Sequence, residues 1–210
     1  MYYLGYGLFV AIVGFALCIL FTGSVLRFII PAVAVISGEG EIFTSFLFSL
    51  MAVGTIIGGF VYAWFIKRRS PPKLMWLWFL YGFFILTMSV STFFSLYFLL
   101  PLSFLLGICG AWVYITLVTI IQSHSQKENI GKNFGAFSTF ANSAEAISGL
   151  VSGGLAAIGL IVSFIVMTSL IVLTGLMGAL LLSRNTGKVQ RENGAFRRMT
   201  LATIINLAVH

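Results

Sequence analysis

Aspartate is missing from the chain altogether, and its 210 residues hold only five acids, all glutamate. That removes intramembrane aspartyl-protease chemistry. The two histidines, His124 and His210, lack the spacing of a zinc site, and His124 in "QSHSQKEN" reads as a solvated loop residue. Cysteine is just as sparse. Cys18 and Cys109 fall inside apolar runs without metal-ligand spacing, so they read as small apolar residues rather than a disulfide framework. No serine sits in a nucleophile-elbow pattern and no phosphate-cradling loop precedes a helix, which argues against an enzyme, a bound cofactor, a metal centre or ATP-driven transport.

Charge is the scarcest commodity: 8% of residues are charged and 60% are hydrophobic, against roughly 25% charged in a soluble domain. A soluble globule of this size needs a polar surface that twelve basic and five acidic side chains cannot supply, whereas a bilayer asks only for long apolar runs. The composition therefore predicts an all-α integral membrane protein. The net charge of +7 then sets topology rather than nucleic-acid binding.

Six apolar runs are long enough to cross a hydrocarbon core, which takes about 20 helical residues: 4–36, 42–66, 74–92, 96–122, 133–160 and 161–183. The first exceeds what a span needs, which predicts tilt or a break near Pro31. Continuous runs of this kind exclude the short alternating segments of a transmembrane barrel. Basic residues cluster after the second run (Lys67, Arg68, Arg69, Lys73), after the fourth (Lys127, Lys132) and after the sixth (Arg184, Lys188, Arg191, Arg197, Arg198). The opposite loops carry none, so both termini are expected in the cytoplasm of a multi-pass cell-membrane protein. No basic residue precedes the first run, which reads as a retained span rather than a cleaved signal. Residues 1–183 are thus expected to form the membrane domain and 184–210 a basic cytoplasmic tail, either disordered or resting on an anionic leaflet.

One acid interrupts the fifth run. Counting about 1.5 Å per residue from Asn133 puts Glu145 roughly 18 Å deep, just past the midplane. Gly135, Ser138, Asn142, Glu145, Gly149 and Ser152 recur at alternating spacings of three and four, so one helix face is small and polar. Such a stripe should line a cavity or meet another helix. Arg27, roughly 14 Å from the far end of the first span by the same rise, lies at a similar depth. Two roles stay open for Glu145: desolvation would let it take and release a proton in a transport cycle, whereas pairing with Arg27 would make it structural. Trp64, Trp76, Trp78 and Trp112 read as interfacial or packing residues.

An internal repeat organises these runs. "GTIIGG" (Gly54, Gly58, Gly59) and "GLVSGG" (Gly149, Gly153, Gly154) share one pattern 95 positions apart, and that shift lays the first three runs over the last three. Three spans is an odd number, so the copies face opposite ways, the 3+3 inverted-repeat plan of secondary transporters. Small residues four apart also serve as plain packing surfaces in lipid.

With these motifs in order, the chain resembles one six-helix half of a major facilitator superfamily transporter, most like the C-terminal half of the macrolide and drug-efflux branch. The loop "GGFVYAWFIKRRS" is similar to the family's loop motif through Gly59, Lys67, Arg68 and Arg69, with Ala63 in the place of its acid. "GLVSGG" resembles the fifth-helix antiporter motif with Leu150 for its proline, and "LLGICGAW" a fourth-helix pattern with Ser103 for its arginine. The resemblance implies a secondary transporter, exporting lipophilic or amphipathic small molecules in exchange for protons; the polar stripe and the depth count then put Glu145, Arg27, Asn142 and Ser138 on the pathway, with the glycines in packing or gating. Family members carry two such halves, so the pathway calls for a parallel homodimer or a second six-helix half in the bilayer. The rival expectation is a transport-incompetent half or fragment, since Met1 opens almost directly into a span.

Overall fold

The computed structural model describes residues 6–65 and 70–182, and these form six long helices. We label them α1 to α6. α1 runs through Tyr6–Ser24, a π-helical turn Val25–Ile29 and Ile30–Ile36; α2 is Gly40–Phe65 and α3 Pro71–Ser91. α4 is Leu99–His124, entered through a 3₁₀ turn at Leu96–Phe98, and α5 is Ile130–Ala156, entered through another at Lys127–Asn129. α6 is Leu160–Leu182.

Five of the six are long and apolar enough to cross a membrane; α5 has the length, at 27 residues, but not the apolarity. This corrects the reading of 133–160 as an apolar span. Asn133, Asn142, Glu145 and the serines between them lower its hydropathy, and its partner is α1, along which it packs. Nor does it reach residue 160. A turn at 157–159 ends it, with Gly159 at φ +122°, a conformation side-chain-bearing residues rarely adopt.

Pro31 produces a widened turn rather than a break. It cannot donate to the Arg27 carbonyl, and in a regular α-helix its ring would crowd that carbonyl. The helix responds just upstream: the Ile30 amide bonds back five residues to the Val25 carbonyl, and helical geometry then continues to Ile36. At the start of α3, Pro71 and Pro72 occupy first-turn positions where a missing amide proton costs nothing.

Packing follows the inverted repeat. α2 lies along α4 and α5 along α1, pairs that the exchange of the two three-helix copies interchanges. α2 touches the bundle through one narrow stripe, Phe43, Leu47, Gly54, Gly58 and Tyr62, while Ile42, Phe46, Ile56, Phe60 and Trp64 stay exposed. A Cβ on Gly58 would stand 2.7 Å from the Ile108 Cα, and one on Gly54 would overlap the Phe104 carbonyl. The two backbones therefore meet directly, as small residues permit in lipid. Trp112 Nε1 donates to the Gly58 carbonyl at 3.0 Å, and the Tyr62 and Thr116 hydroxyls bond at 2.9 Å across the same interface. α3 meets α6 around the centre of the repeat: Gly82 accommodates Ile171, while Gly175 and Gly178 accommodate Phe79 and Met75. The 95-residue shift carries the Gly82–Ile171 contact onto the Gly178–Met75 contact within one residue. Buried Ser89 and Thr168 add a hydroxyl bond of 3.3 Å there.

Candidate functional site

The site is built where α1 and α5 cross. Gly23 brings the helices close, since a Cβ there would meet the Ser148 Oγ at 2.9 Å. Ser24 Oγ donates to the Ser148 carbonyl at 2.8 Å in a buried bond. One turn further along α1, Arg27 Nη2 forms a salt bridge with Glu145 Oε1, and the Phe28 ring lies over Gly149. Arg27 belongs to the π-helical turn, so the feature that absorbs Pro31 also sets where its guanidinium projects. Ser148 in turn donates to the Glu145 carbonyl at 2.6 Å, tying the crossing point to the ion pair.

The pair is not enclosed. The Arg27 side chain is 62% exposed and that of Glu145 34%. Asn142 and Ser138, one and two turns before Glu145, are also exposed and bond to each other, Nδ2 to Oγ, at 3.3 Å. Four polar residues from two helices thus mark one open face of the bundle, partway along helices of membrane-spanning length. Ser152, at the end of the same stripe, is buried and donates to the Gly149 carbonyl at 2.9 Å.

The glycines of the repeated pattern divide. Gly54, Gly58 and Gly149 each have a neighbour that an added Cβ would crowd, whereas at Gly59, Gly153 and Gly154 it would meet nothing within 4 Å. Lys67, Arg68, Arg69 and the tail 184–210 lie outside the described residues. Cys18 and Cys109 are buried free thiols. His124 Nδ1 lies 3.0 Å from the Ser123 Oγ and 3.2 Å from the Ile120 carbonyl at the end of α4, away from the ion pair. Among the described residues no cluster of three or more acids, histidines or cysteines could hold a metal ion.

Sequence reasoning missed Gly23, Ser24 and Ser148, whose signal was a small pair in α1 facing a serine three residues beyond Glu145. It also passed over a cavity of about 480 Å³ at the far end of α1, lined by Pro31, Ala32, Val35, Ile36 and, from α2, Glu41, Thr44 and Ser45.

A family model described as Major Facilitator Superfamily matches residues 6–207, while no curated protein and no solved structure matches the chain. That match covers nearly the whole sequence, in a bundle of six long helices, five of them apolar enough to cross a membrane. The chain belongs to the Major Facilitator Superfamily, whose members are in general membrane-embedded secondary transporters rather than enzymes.

Proposed function

We propose that the chain carries one wall of a proton-coupled pathway that exports lipophilic or amphipathic small molecules, with both termini in the cytoplasm. The observation that supports this best is the Arg27–Glu145 pair on the open face of α1 and α5. Charges within a spanning segment cost about 2.5–3.5 kcal/mol or more against lipid, so such residues line water-filled or protein-covered surfaces and mark ion or substrate routes. Alternating access supplies the cycle. When substrate or helix movement draws Arg27 away, the Glu145 carboxylate loses its counter-charge, and a proton takes the place of the guanidinium. Return of Arg27 expels that proton on the other side. Asn142 and Ser138 extend the polar wall and offer neutral hydrogen bonds to substrate.

The same openness favours a second reading: this half needs a partner, a parallel second copy or another six-helix half, before it transports anything. The test is flux in proteoliposomes under an imposed pH gradient, with the chain by itself and with Glu145→Gln. Gradient-driven flux that the substitution abolishes supports the titrating role. Equal flux in parent and variant would remove it, and no flux in either would favour the chain as an incomplete half.

A further inference from the structure

The cavity at the far end of α1 and α2 gathers side-chain acceptors against an apolar wall. Ser45 Oγ donates to the Glu41 carbonyl at 2.9 Å, and Thr44 Oγ1 donates to the Gly40 carbonyl at 3.3 Å. With their protons committed to the backbone, both hydroxyls turn only lone pairs to the cavity. The Glu41 carboxylate is an acceptor as well, and Pro31 has no amide proton to offer. Pro31, Ala32, Val35 and Ile36 supply an apolar wall. Among the described residues Glu41 has no cationic partner within salt-bridge distance. A carboxylate without a cationic partner, with two hydroxyl acceptors and an apolar wall beside it, fits a ligand with an N–H-bearing cationic head and an apolar body.

The place of this cavity ties it to the pathway. Pro31 is one helical turn from Arg27 on the same side of α1, so the cavity continues the open face beyond the ion pair. The loops at this end, 37–39, 92–95 and 157–159, contain no lysine or arginine that would repel a cation. Arg27 itself is compensated by Glu145. Glu41 also sits in the first turn of α2, where a carboxylate complements the helix dipole. That role explains an acid at this position, but not hydroxyls and an apolar wall converging on it.

We propose that Glu41, Thr44 and Ser45, with the apolar wall of α1, form a binding site for primary-ammonium amphiphiles at the mouth of the pathway. Calling it a mouth rests on the transport reading above; the binding itself does not.

The experiment is calorimetric titration of the full chain in nanodiscs with phenylbutylammonium, phenylbutanol and phenylbutanesulfonate, which share a body and differ in the head. Expected is saturable binding of the ammonium, weakened about tenfold by Glu41→Gln and kept within about threefold by Glu41→Asp, with the alcohol unaffected. Equal affinity for ammonium and sulfonate, or an unchanged ammonium affinity in Glu41→Gln, would overturn the assignment. Should Glu41→Gln fail to fold, Thr44→Val with Ser45→Val removes acceptors while leaving the first-turn carboxylate. Roughly threefold weaker ammonium binding is then expected, and no change would overturn the site. Binding without flux in the proteoliposome assay would sink the transport reading alone, and flux without saturable ammonium binding would sink this one.

Discussion

Replacing Gly58 by alanine should separate two helices, whereas the same change at Gly59 should be harmless or slightly stabilising. The new Cβ at position 58 would stand 2.7 Å from the Ile108 Cα, 2.8 Å from its carbonyl oxygen and 3.1 Å from its carbonyl carbon. Carbon pairs prefer about 3.5–4.0 Å, so the shortfall is about 1 Å, and it lies against backbone that has no rotamer to change. α2 and α4 must move apart by about that distance. A gap of about 0.5–1 Å forfeits a quarter to a half of each dispersion contact, and the shift also strains the Trp112 bond to the Gly58 carbonyl and the Tyr62–Thr116 bond. Overpacking costs about 1–3 kcal/mol in general, and a rigid backbone clash belongs at about 3 kcal/mol. At Gly59 nothing lies within 4 Å, and alanine gains about 1 kcal/mol in helix propensity relative to glycine. Thermal unfolding of both variants in the same lipid, followed by tryptophan fluorescence, reads the difference. Two neighbouring substitutions of identical chemistry should move the midpoint in opposite directions. Equal midpoints would refute the claim that backbone contact at Gly58, rather than glycine content in general, holds α2 to α4.

Three further outcomes follow from the same geometry. Tyr62→Phe and Thr116→Val should each cost about 1 kcal/mol, with a coupling of about 0.6 kcal/mol in a double-mutant cycle; zero coupling would mean that their 2.9 Å bond adds nothing. Arg27→Gln and Glu145→Gln should each lower stability by about 1 kcal/mol, modest because the pair is open, while the double variant should unfold no earlier than either single one; strictly additive losses would deny that the two side chains act as a pair. Pro31→Ala restores a backbone donor, so the Val25–Ile29 turn should tighten, thermal stability should rise and gradient-driven flux should fall; a variant gaining in both would break the link between the wide turn and the ion pair.

The spans were legible because hydropathy depends on composition along the chain, and a bilayer reads the same quantity. Depth was legible too: counting helical rise placed Arg27 and Glu145 at matching levels, and the structure joins them. The end of α5 was not, because Ala157 and Ile158 are as apolar as the helix before them and only Gly159 marks the turn. Pro31 announced an irregularity in α1 without saying which kind. Whether such a helix breaks or widens depends on what grips its neighbouring turns, here Ser24 bonded to the Ser148 carbonyl on another helix. The repeated glycines show the same limit. One spacing produced both Gly58, pressed against backbone, and Gly59, facing open space, because spacing records that a face is small and not what lies opposite it.

The open ion pair connects these pieces. A salt bridge whose arginine is 62% exposed could gain little if water simply replaced its partner, so its stabilising value to this chain by itself is small. Exposure to hydrocarbon at that level is the alternative with a real penalty. Nothing in the packing of α1 and α5 requires the charges, since Gly23, Ser24, Phe28, Ser148 and Gly149 already bring the helices together. Small apolar residues at 27 and 145 would satisfy the crossing as well. The pair therefore makes physical sense as a wall of something wet or protein-covered, where two charges can part and re-form at modest cost. The cavity one turn beyond Arg27 stands beside that pair, and on the proposed reading the two would serve as a recognition site at the mouth and an exchangeable ion pair deeper in.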